Sequence, residues 1–328
     1  MTDPHRSDVL ILGAGHNGLV CAAYLAAAGL KVRMLERRTI AGGAAVTEEF
    51  HPGFRNSVAS YTVSLLDDAV GRDLRLAEHG LRVVERPYAN FLPLPGGDAF
   101  RFGGEHTLGE ISRFSERDLP RWDDYNAMLE RVVGVLRELV HLTPPNITDR
   151  IGFADWLGSY AVARRLKHLD LRGRRDLMDL MTKSAGEVLD AHFEGAPLKA
   201  VLGWDSIVGN FASPYTPGSA YVLLHHLFGG VNGKPGAWGH AIGGMGAITQ
   251  AMRKECEARG VVIHTDAPVV QLIVENGRSV GAITEDGREF RARAVASNLN
   301  PKLLYQRIAR PEHLDEDTRQ RIGNYRCG

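Results

Sequence analysis

The first constraint on the fold is a glycine-spaced turn between an apolar run and a small-residue helix near the N-terminus. Val9–Leu12 is apolar throughout, as in a strand buried on both faces of a parallel sheet. Gly13, Gly15 and Gly18 follow with the spacing G-x-G-x-x-G. This spacing allows a sharp turn, admits a phosphate to the backbone and lets the next helix lie close to the strand. The pattern predicts a dinucleotide-binding βαβ unit.

The residues that follow complete this unit. An alanine-rich helix is predicted from roughly Asn17 to Ala28, and its N-terminus would present free N–H groups to a pyrophosphate. Lys31–Leu35 is the second strand, and Glu36 stands at its end, where a carboxylate can accept hydrogen bonds from ribose hydroxyls. Glu36 also argues against NADP, whose 2′-phosphate would meet a like charge. The candidate contacts in the turn are Gly13, Ala14, Gly15, Asn17 and Gly18.

Glu36 does not distinguish NAD from FAD, but the next residues do so by resemblance. The run Glu-Arg-Arg-Thr-Ile-Ala-Gly-Gly-Ala at residues 36–44 resembles the second glycine signature of flavoproteins that bind two dinucleotides. This resemblance implies FAD as cofactor, with Arg37 beside the adenosine half. It also implies that Gly42, Gly43 and Ala44 bring backbone close to the nucleotide. A glycine loop without a ligand is the alternative interpretation.

Over most of its length the chain resembles the phytoene desaturase-related flavoproteins. Four blocks carry the resemblance in order, namely Ile11–Ala44, Gly53–Ser57, Trp238–Gly246 and Gly281–Pro301. The resemblance implies an α/β fold: a three-layer, Rossmann-like FAD-binding domain with a parallel sheet and a β-meander, and an inserted, mainly helical substrate domain. It further implies that backbone groups near Val269 and Val270 contact the adenine. A purely structural sheet edge is the alternative at those two residues.

The pattern along the chain suggests the domain boundaries. Residues 1–105 and 239–300 are predicted to form the discontinuous FAD-binding domain, and 106–238 the substrate domain. Two apolar runs, Ala89–Pro95 and Ala99–Phe102, predict a hairpin. Apolar residues at three- and four-residue steps predict a helix over Leu119–Leu142, and short helices are expected over 151–230.

The nucleotide-binding domain is predicted to resume with a helix over Ala247–Arg259 and a strand over Val261–His264. Pro268–Glu275 and Ser279–Glu285 flank Asn-Gly, a strong hairpin signal. Arg288–Ala294 is expected to follow the next turn, and Val295–Ser297 to be a buried strand.

Family members resembling this chain continue well beyond its last residue. Residues 301–328, with helical patterns at Pro301–Ala309 and Leu314–Ile322, are therefore interpreted as the start of a truncated C-terminal section. By the same resemblance, the missing part would hold the flavin's inner phosphate and its ring, so the activity of this chain by itself is left open.

Composition excludes several other classes of protein. Lys plus Arg number 39 and Asp plus Glu number 39, so no overall charge favours nucleic acid, and no nucleic-acid partner is predicted. The polar start lacks a signal-peptide apolar region, which predicts a cytoplasmic location, or the mitochondrial matrix if the source is eukaryotic. The three cysteines, Cys21, Cys256 and Cys327, are too far apart in sequence to suggest a redox pair, and no metal-ligand spacing is present.

The predicted function is that of an FAD-dependent oxidoreductase of the dehydrogenase or desaturase type. In this class the flavin N5 accepts a hydride from a substrate carbon, here in an apolar small molecule. An amine-oxidase-type flavoenzyme is one alternative, and a non-catalytic regulatory protein that keeps the fold is another. The sequence identifies no catalytic acid or base, and the oligomeric state is not predicted.

Several side chains are candidates for lining the flavin or substrate cavity, each with ordinary packing as the alternative. They are Asn56, Ser57, Ser60 and Tyr61 after the second glycine loop, the adjacent His225 and His226, and Trp238 and Met245 beside a glycine run. A basic stretch contains Arg164, Arg165, Lys167, Arg172, Arg174 and Arg175. It is interpreted as a solvated helical face, with peripheral contact to an anionic membrane surface as the second interpretation.

Overall fold

The computed structural model describes residues 6–140, 142–144, 146, 152–209 and 211–327, apart from the side chains of Ala154, His225 and His226. The chain divides into two compact units. The first contains Met1–Val84 and Gly239–Gly328, and the second contains Glu85–Trp238.

The strands are β1 (Arg6–Leu12), β2 (Val32–Leu35), β3 (Thr47–His51), β4 (Phe54–Ser57), β5 (Val83–Glu85), β6 (Asn90–Pro93), β7 (Ala99–Phe102), β8 (Gly230–Val231), β9 (Lys234–Pro235), β10 (Gly239–Ala241), β11 (Val262–His264), β12 (Val269–Glu275), β13 (Arg278–Thr284) and β14 (Glu289–Ser297). The α-helices are α1 (His16–Ala27), α2 (Asp68–Asp73), α3 (Thr107–Phe114), α4 (Asp118–Val140), α5 (Phe153–Leu166), α6 (Leu171–Thr182), α7 (Ala185–His192), α8 (Ala196–Asp205), α9 (His225–Phe228), α10 (Met245–Ala258), α11 (Pro301–Leu303) and α12 (Glu316–Asn324).

A six-stranded sheet organises the first unit, in the order β11-β2-β1-β14-β13-β12. β1 lies between β2 and β14 and is parallel to both, with Val9 opposite Val32 on one side and Ala294 on the other. A strand flanked in this way must be apolar on both faces. The run Val9–Leu12 meets this demand, and all four of its side chains are buried.

Helix α1 packs on one face of the sheet, and an apolar cluster lies on the other face. On one face α1 lies so close that a Cβ added to Gly18 would come 3.4 Å from the Met34 side chain. On the other face Leu10 and Leu12 form an apolar cluster with Phe290 and Ala282 of the antiparallel β12–β14 meander, which belongs to the same sheet, and Leu304 after α11 packs against this cluster. This arrangement confirms the predicted α/β fold with a parallel sheet and a β-meander.

The second unit has its own, mostly helical core. The β6–β7 hairpin packs Phe100 and Phe102 against the helices, and the rings of Phe102 and Trp122 meet edge-on with centroids 5.6 Å apart. Tyr125 lies at the centre of the core, and its ring contacts Phe193 at 5.2 Å. Burial raises the pKa of the Tyr125 phenol, so it remains neutral. These aromatic contacts make the hairpin part of the helical unit.

The structure therefore differs from the predicted boundaries in two places. Residues 85–105, predicted with the FAD-binding domain, belong to the second unit because their hairpin supplies its aromatic core. Residues 301–328, predicted as a separate section, belong to the first unit. The helix predicted over Pro301–Ala309 is a short α-helix that continues as a wider π-helical turn over 304–308.

A smaller difference concerns the end of the sheet. Residues 295–297 continue β14 without a break, and Ser297 is exposed where a buried strand was predicted. Among the described residues, no helix is long and apolar enough to cross a membrane.

A buried carboxylate stabilises the outer side of α10. Glu255 is fully buried and accepts hydrogen bonds from Arg75 at 2.9 Å, Arg259 at 2.6 Å and His79 at 2.5 Å. Burial alone raises the pKa of Glu255, but these three donors outweigh it and lower the pKa to about 2. Arg259 also donates to the carbonyl of Ala23 at 3.0 Å, so the cluster joins α10 to α1.

We expect Glu255→Gln to lower the free energy of unfolding by about 3 kcal/mol at pH 7, because it removes the buried counter-charge of the Arg75 and Arg259 guanidinium groups. The folded-state pKa of about 2 lies below the ordinary value of 4.5. The stabilisation is thus complete above about pH 4.5 and is lost as the pH falls towards 2. Urea unfolding of the parent chain and the variant across this pH range should show that the difference between their free energies of unfolding becomes smaller as the pH falls.

Glu257→Gln is the matched control on the same helix. Glu257 forms an exposed pair with Arg253 at 2.8 Å, and loss of such a pair costs at most about 1 kcal/mol. Equal losses for the two variants at pH 7 would contradict the role assigned to Glu255.

Candidate dinucleotide-binding site

The first glycine turn brings β1 and α1 into close contact. A Cβ added to Gly18 would lie 2.4 Å from the carbonyl oxygen of Gly13, so only glycine allows the helix this approach. α1 begins after Gly15, and no side chain caps its N-terminus. His16 and Asn17 are exposed in the first turn, which contains no acidic residue. The N–H groups and the positive end of the helix dipole are therefore available to an anion.

Glu36 is buried beside this turn, and backbone groups hold its carboxylate. One oxygen accepts the N–H of Ala14 at 2.8 Å, and the other accepts the N–H of Arg38 at 3.0 Å. Arg37 is exposed, whereas the Arg38 side chain forms an ion pair with Glu48. The predicted ribose-binding carboxylate is thus fixed at the end of β2 by neutral donors.

The second glycine loop lies directly against the first. The Gly42 N–H donates to the carbonyl of Ala14 at 2.8 Å, and Gly15 and Gly42 form a parallel bridge. A Cβ added to Gly43 would lie 2.9 Å from the Gly15 Cα. The two glycine signatures, separate in sequence, thus form one cradle of bare backbone, with Ala44 exposed beside it.

Helix α10 holds the second loop in place through residues that the sequence did not indicate. The Thr249 hydroxyl donates to the carbonyl of Ala45 at 2.7 Å, and the Gln250 amide donates to the carbonyl of Ala41 at 3.0 Å. The sequence signal available for this role was a hydroxyl side chain, that of Thr249, near the start of a helix that follows a glycine run. The support for the cradle comes from a segment about 200 residues away in sequence.

The first N–H groups of α10 are used internally. The Met245 N–H donates to the Ser57 hydroxyl at 3.0 Å, and the Gly246 N–H donates to the Thr47 hydroxyl at 2.9 Å. These bonds tie α10 to β3 and β4. Ser57, a candidate for lining the flavin, therefore has a structural hydrogen bond here.

A further residue at the cradle was missed by the sequence analysis. Asn298 follows β14, and its N–H donates to the carbonyl of Leu12 at 2.9 Å. Its side-chain nitrogen lies 3.0 Å from the point that a Cβ of Gly15 would occupy. Carboxyl ends of parallel strands meet at one edge of a sheet, and ligands of this fold class bind there. The position of Asn298 directly after a parallel strand was the sequence signal that could have identified it.

The predicted adenine-contacting strand begins next to Glu36. The Ala267 N–H donates to the carbonyl of Glu36 at 2.9 Å, two residues before Val269. Val269 is half-buried and pairs with Thr284, whereas Val270 is exposed at a register shift. Both residues are therefore close in sequence to a contact with Glu36, and their contact with adenine stays a prediction.

The remaining candidates are divided between the two units. Asn56 and Tyr61 are exposed and Ser60 is half-buried, all in the first unit. Trp238 and Met245 are buried, the former in the second unit and the latter in the first. His225 and His226 lie in α9, and their side chains fall outside the described part of the chain.

Comparison with known proteins identifies the class to which this cradle belongs. The family model for flavin-containing amine oxidoreductases matches residues 18–328. The chain belongs to this family. Membership confirms the predicted flavin cofactor, FAD, and it agrees with the glycine cradle and Glu36.

Individual relatives support the same conclusion. The chain is 38% identical to pyridine nucleotide-disulfide oxidoreductase domain-containing protein 2 of Mus musculus, over 94% of this chain and 55% of that protein. It is 25% identical to a limonene dehydrogenase polypeptide of Castellaniella defragrans, over 96% of this chain and 56% of that protein. The chain thus spans a little over half the length of these curated relatives.

Solved structures share the fold. Wild-type putrescine oxidase bound to putrescine superposes with a TM-score of 0.62 at 19% identity, over 97% of this chain and 63% of the other. An oxidoreductase from Methanosarcina mazei gives a TM-score of 0.58 at 18% identity, over 97% and 65%. At these identities the likeness concerns the fold.

The word disulfide in the name of the mouse relative has no counterpart in the thiols of this chain. Cys21 and Cys327 are exposed, Cys256 is buried, and all three are free. Burial raises the pKa of the Cys256 thiol to about 12, which leaves it protonated and unreactive. The described thiols offer no pair for disulfide exchange.

We expect Gly43→Ala to weaken FAD binding by roughly ten- to a hundredfold, because its methyl group would push the two glycine loops apart at a cost of about 1–3 kcal/mol. Gly29→Ala is the matched control, since Gly29 has a similar positive φ of 84° but no atom within 4 Å of its added Cβ. Titration of apoprotein with FAD, followed by flavin fluorescence, measures both affinities. Equal losses would mean that backbone strain, rather than the contact with Gly15, is responsible.

Proposed function

We propose that the protein to which this chain belongs is an FAD-dependent oxidoreductase that removes a hydride from a carbon atom of an apolar organic substrate. The observation that carries the proposal is the cradle in which Gly15 meets Gly42 and Gly43 beside the buried carboxylate of Glu36. The name of one relative, a limonene dehydrogenase, refers to a hydrocarbon substrate and supports the apolar class. A cytoplasmic location remains part of the proposal.

The residues of the cradle fit the adenosine diphosphate half of FAD. The uncapped N-terminus of α1 supplies N–H donors and positive potential for the pyrophosphate. Bare backbone at Gly15 and Gly43 lets the two loops meet, since an added Cβ at Gly43 would lie 2.9 Å from the Gly15 Cα. Glu36 retains acceptor capacity for ribose hydroxyls, because each carboxylate oxygen has more than one lone pair. When bound, the flavin supplies the hydride acceptor.

The negative charge of Glu36 sets the choice of nucleotide. Within the part of the chain that the structure describes, its carboxylate accepts from neutral N–H groups and from no side-chain cation, so its charge is not cancelled there. A 2′-phosphate on the adenosine ribose would therefore be repelled. This selection requires only the first unit of the chain.

We expect the chain to bind FAD and ADP competitively and to bind FMN more than tenfold more weakly, because FMN lacks the adenosine half. Glu36→Gln should weaken ADP binding and bring the affinities for ADP and 2′-phospho-ADP closer together, since it removes the repelling charge. Titration followed by flavin fluorescence measures the affinity for FAD. Displacement of bound FAD then measures the affinities for the other three ligands, ADP, 2′-phospho-ADP and FMN. Glu49→Gln, at an exposed carboxylate of β3, should leave the ratio unchanged. Equal FAD and FMN affinities would overturn the assignment of the cradle.

The family description favours amine oxidation as a second candidate reaction. Anaerobic mixing of the FAD-loaded protein with monoterpenes, polyenes and alkyl amines distinguishes the two. We expect loss of the oxidised-flavin absorbance with the apolar alkenes. Bleaching by amines, with hydrogen peroxide formed on readmission of oxygen, would favour the amine oxidase. Flavin that stays oxidised across the panel would support the non-catalytic alternative.

A further inference from the structure

Helix α5, in the second unit, carries a row of exposed aromatic side chains. Phe153 is 77% exposed, and Trp156 and Tyr160 are each 58% exposed. Steps of three and four residues place them on one face of the helix. Their rings follow one another at 6.4 and 6.1 Å with interplanar angles of 17° and 13°. Three adjoining exposed aromatic rings form an apolar patch of the kind that marks an interaction site.

The same helical face ends in two cations. Arg164 lies four residues after Tyr160, and Lys167 lies three residues after Arg164. Both are exposed, and within the described residues neither forms an ion pair. Arg165, which points to a different side of the helix, pairs with Glu138 at 3.3 Å.

The acidic residue of α5 lies away from this face. Asp155 is half-buried at the N-terminus, where its carboxylate accepts the N–H of Gly152 at 3.0 Å. We name the set Phe153, Trp156, Tyr160, Arg164 and Lys167 the aromatic–basic face. It combines apolar rings and uncompensated positive charge without a carboxylate.

Helix α6 repeats the same combination independently. Leu171 is 84% exposed and Met178 is 60% exposed, with the exposed Arg175 between them at helical spacing. The two acidic residues of α6 are compensated: Asp176 pairs with Arg131, and Asp179 with Lys183 at 3.0 Å. Two consecutive helices therefore expose apolar side chains next to cations.

This chemistry matches a lipid surface with negative headgroups. Trp and Tyr rings have an apolar body and a polar edge, which suits the boundary between headgroups and acyl chains. Each Lys or Arg near an anionic membrane adds attraction. The chain as a whole carries no formal net charge, so attraction of this kind must come from a local patch. α5 has 14 residues, fewer than the roughly 20 needed to span a bilayer.

We propose that the aromatic–basic face is a peripheral membrane-binding surface for anionic phospholipid. The rings of Phe153, Trp156 and Tyr160 enter the headgroup boundary, and Arg164 and Lys167 contact lipid phosphates. The exposed side chains of α6 extend the basic contact. This proposal goes beyond the oxidoreductase function and does not depend on flavin binding.

Co-sedimentation of the full chain with vesicles tests the proposal. We expect partitioning onto vesicles of phosphatidylcholine with about one-third phosphatidylglycerol to exceed that onto pure phosphatidylcholine at least tenfold, and to fall as salt rises. Trp156→Ser/Tyr160→Ser should reduce binding to the anionic vesicles about tenfold or more. Arg164→Gln/Lys167→Gln should reduce both the binding and its salt dependence.

Matched controls distinguish binding through this face from nonspecific adsorption to vesicles. Trp204→Ser removes a comparably exposed tryptophan from α8, and Arg117→Gln/Arg121→Gln removes two exposed cations elsewhere in the same unit. Both should bind within about twofold of the parent chain. Unchanged thermal unfolding confirms that each variant is folded, and unchanged FAD affinity separates this result from that for the cradle.

Four outcomes would overturn the proposal. One is equal binding to both vesicle types, and another is full retention of binding by the Trp156/Tyr160 variant. In the third, analytical ultracentrifugation shows a dimer of the parent chain that this variant does not form, and the parent chain does not bind vesicles. The face would then join two copies of the chain. Inorganic phosphate at millimolar concentration should leave tryptophan fluorescence unchanged, and a shift equal to that from vesicles would point to free anion binding instead.

Discussion

The candidate site depends on a backbone contact between two glycine loops. Gly15 and Gly42 form a parallel bridge, and the Gly43 backbone lies so close to the Gly15 Cα that no side chain fits between them. This contact converts a turn after β1 and a loop after β2 into one surface of bare peptide groups. Such a surface suits a pyrophosphate, because N–H donors and the end of a helix dipole are exposed without side-chain competition.

Residues far away in the sequence hold this contact between the two glycine loops in place. Thr249 and Gln250 of α10 hold the carbonyls of the second loop, and Thr47 and Ser57 hold the first turn of α10 in return. Glu255, two turns further along the helix, binds α10 to α1 through Arg259. The geometry of the cradle is therefore a property of the whole first unit rather than of its glycine motifs.

Two buried carboxylates in this unit have different surroundings and different consequences. Glu255 is surrounded by cationic side chains, so its charge is compensated and its contribution is stability. Glu36 is held by two backbone N–H groups, which orient the carboxylate without cancelling its charge. Because of that difference, we propose that Glu36, and not Glu255, selects among nucleotides. Sequence inspection singled out Glu36 by its position and offered no reason to single out Glu255.

The sequence alone determined the nucleotide-binding unit, because its signals are local. A buried parallel strand must be apolar, a close turn requires glycine, and Asn-Gly favours a hairpin, so β1, α1, β2 and the β12–β13 hairpin were all predicted within a few residues. Only the tertiary structure decided which unit the β6–β7 hairpin joins, which residues support the cradle and which face of α5 is exposed. Those outcomes depend on packing between segments far apart in the chain. Local pattern leaves them open: the spacing of aromatic residues in α4 and α5 looks alike, yet Tyr125 is buried in a core and Tyr160 is exposed to solvent.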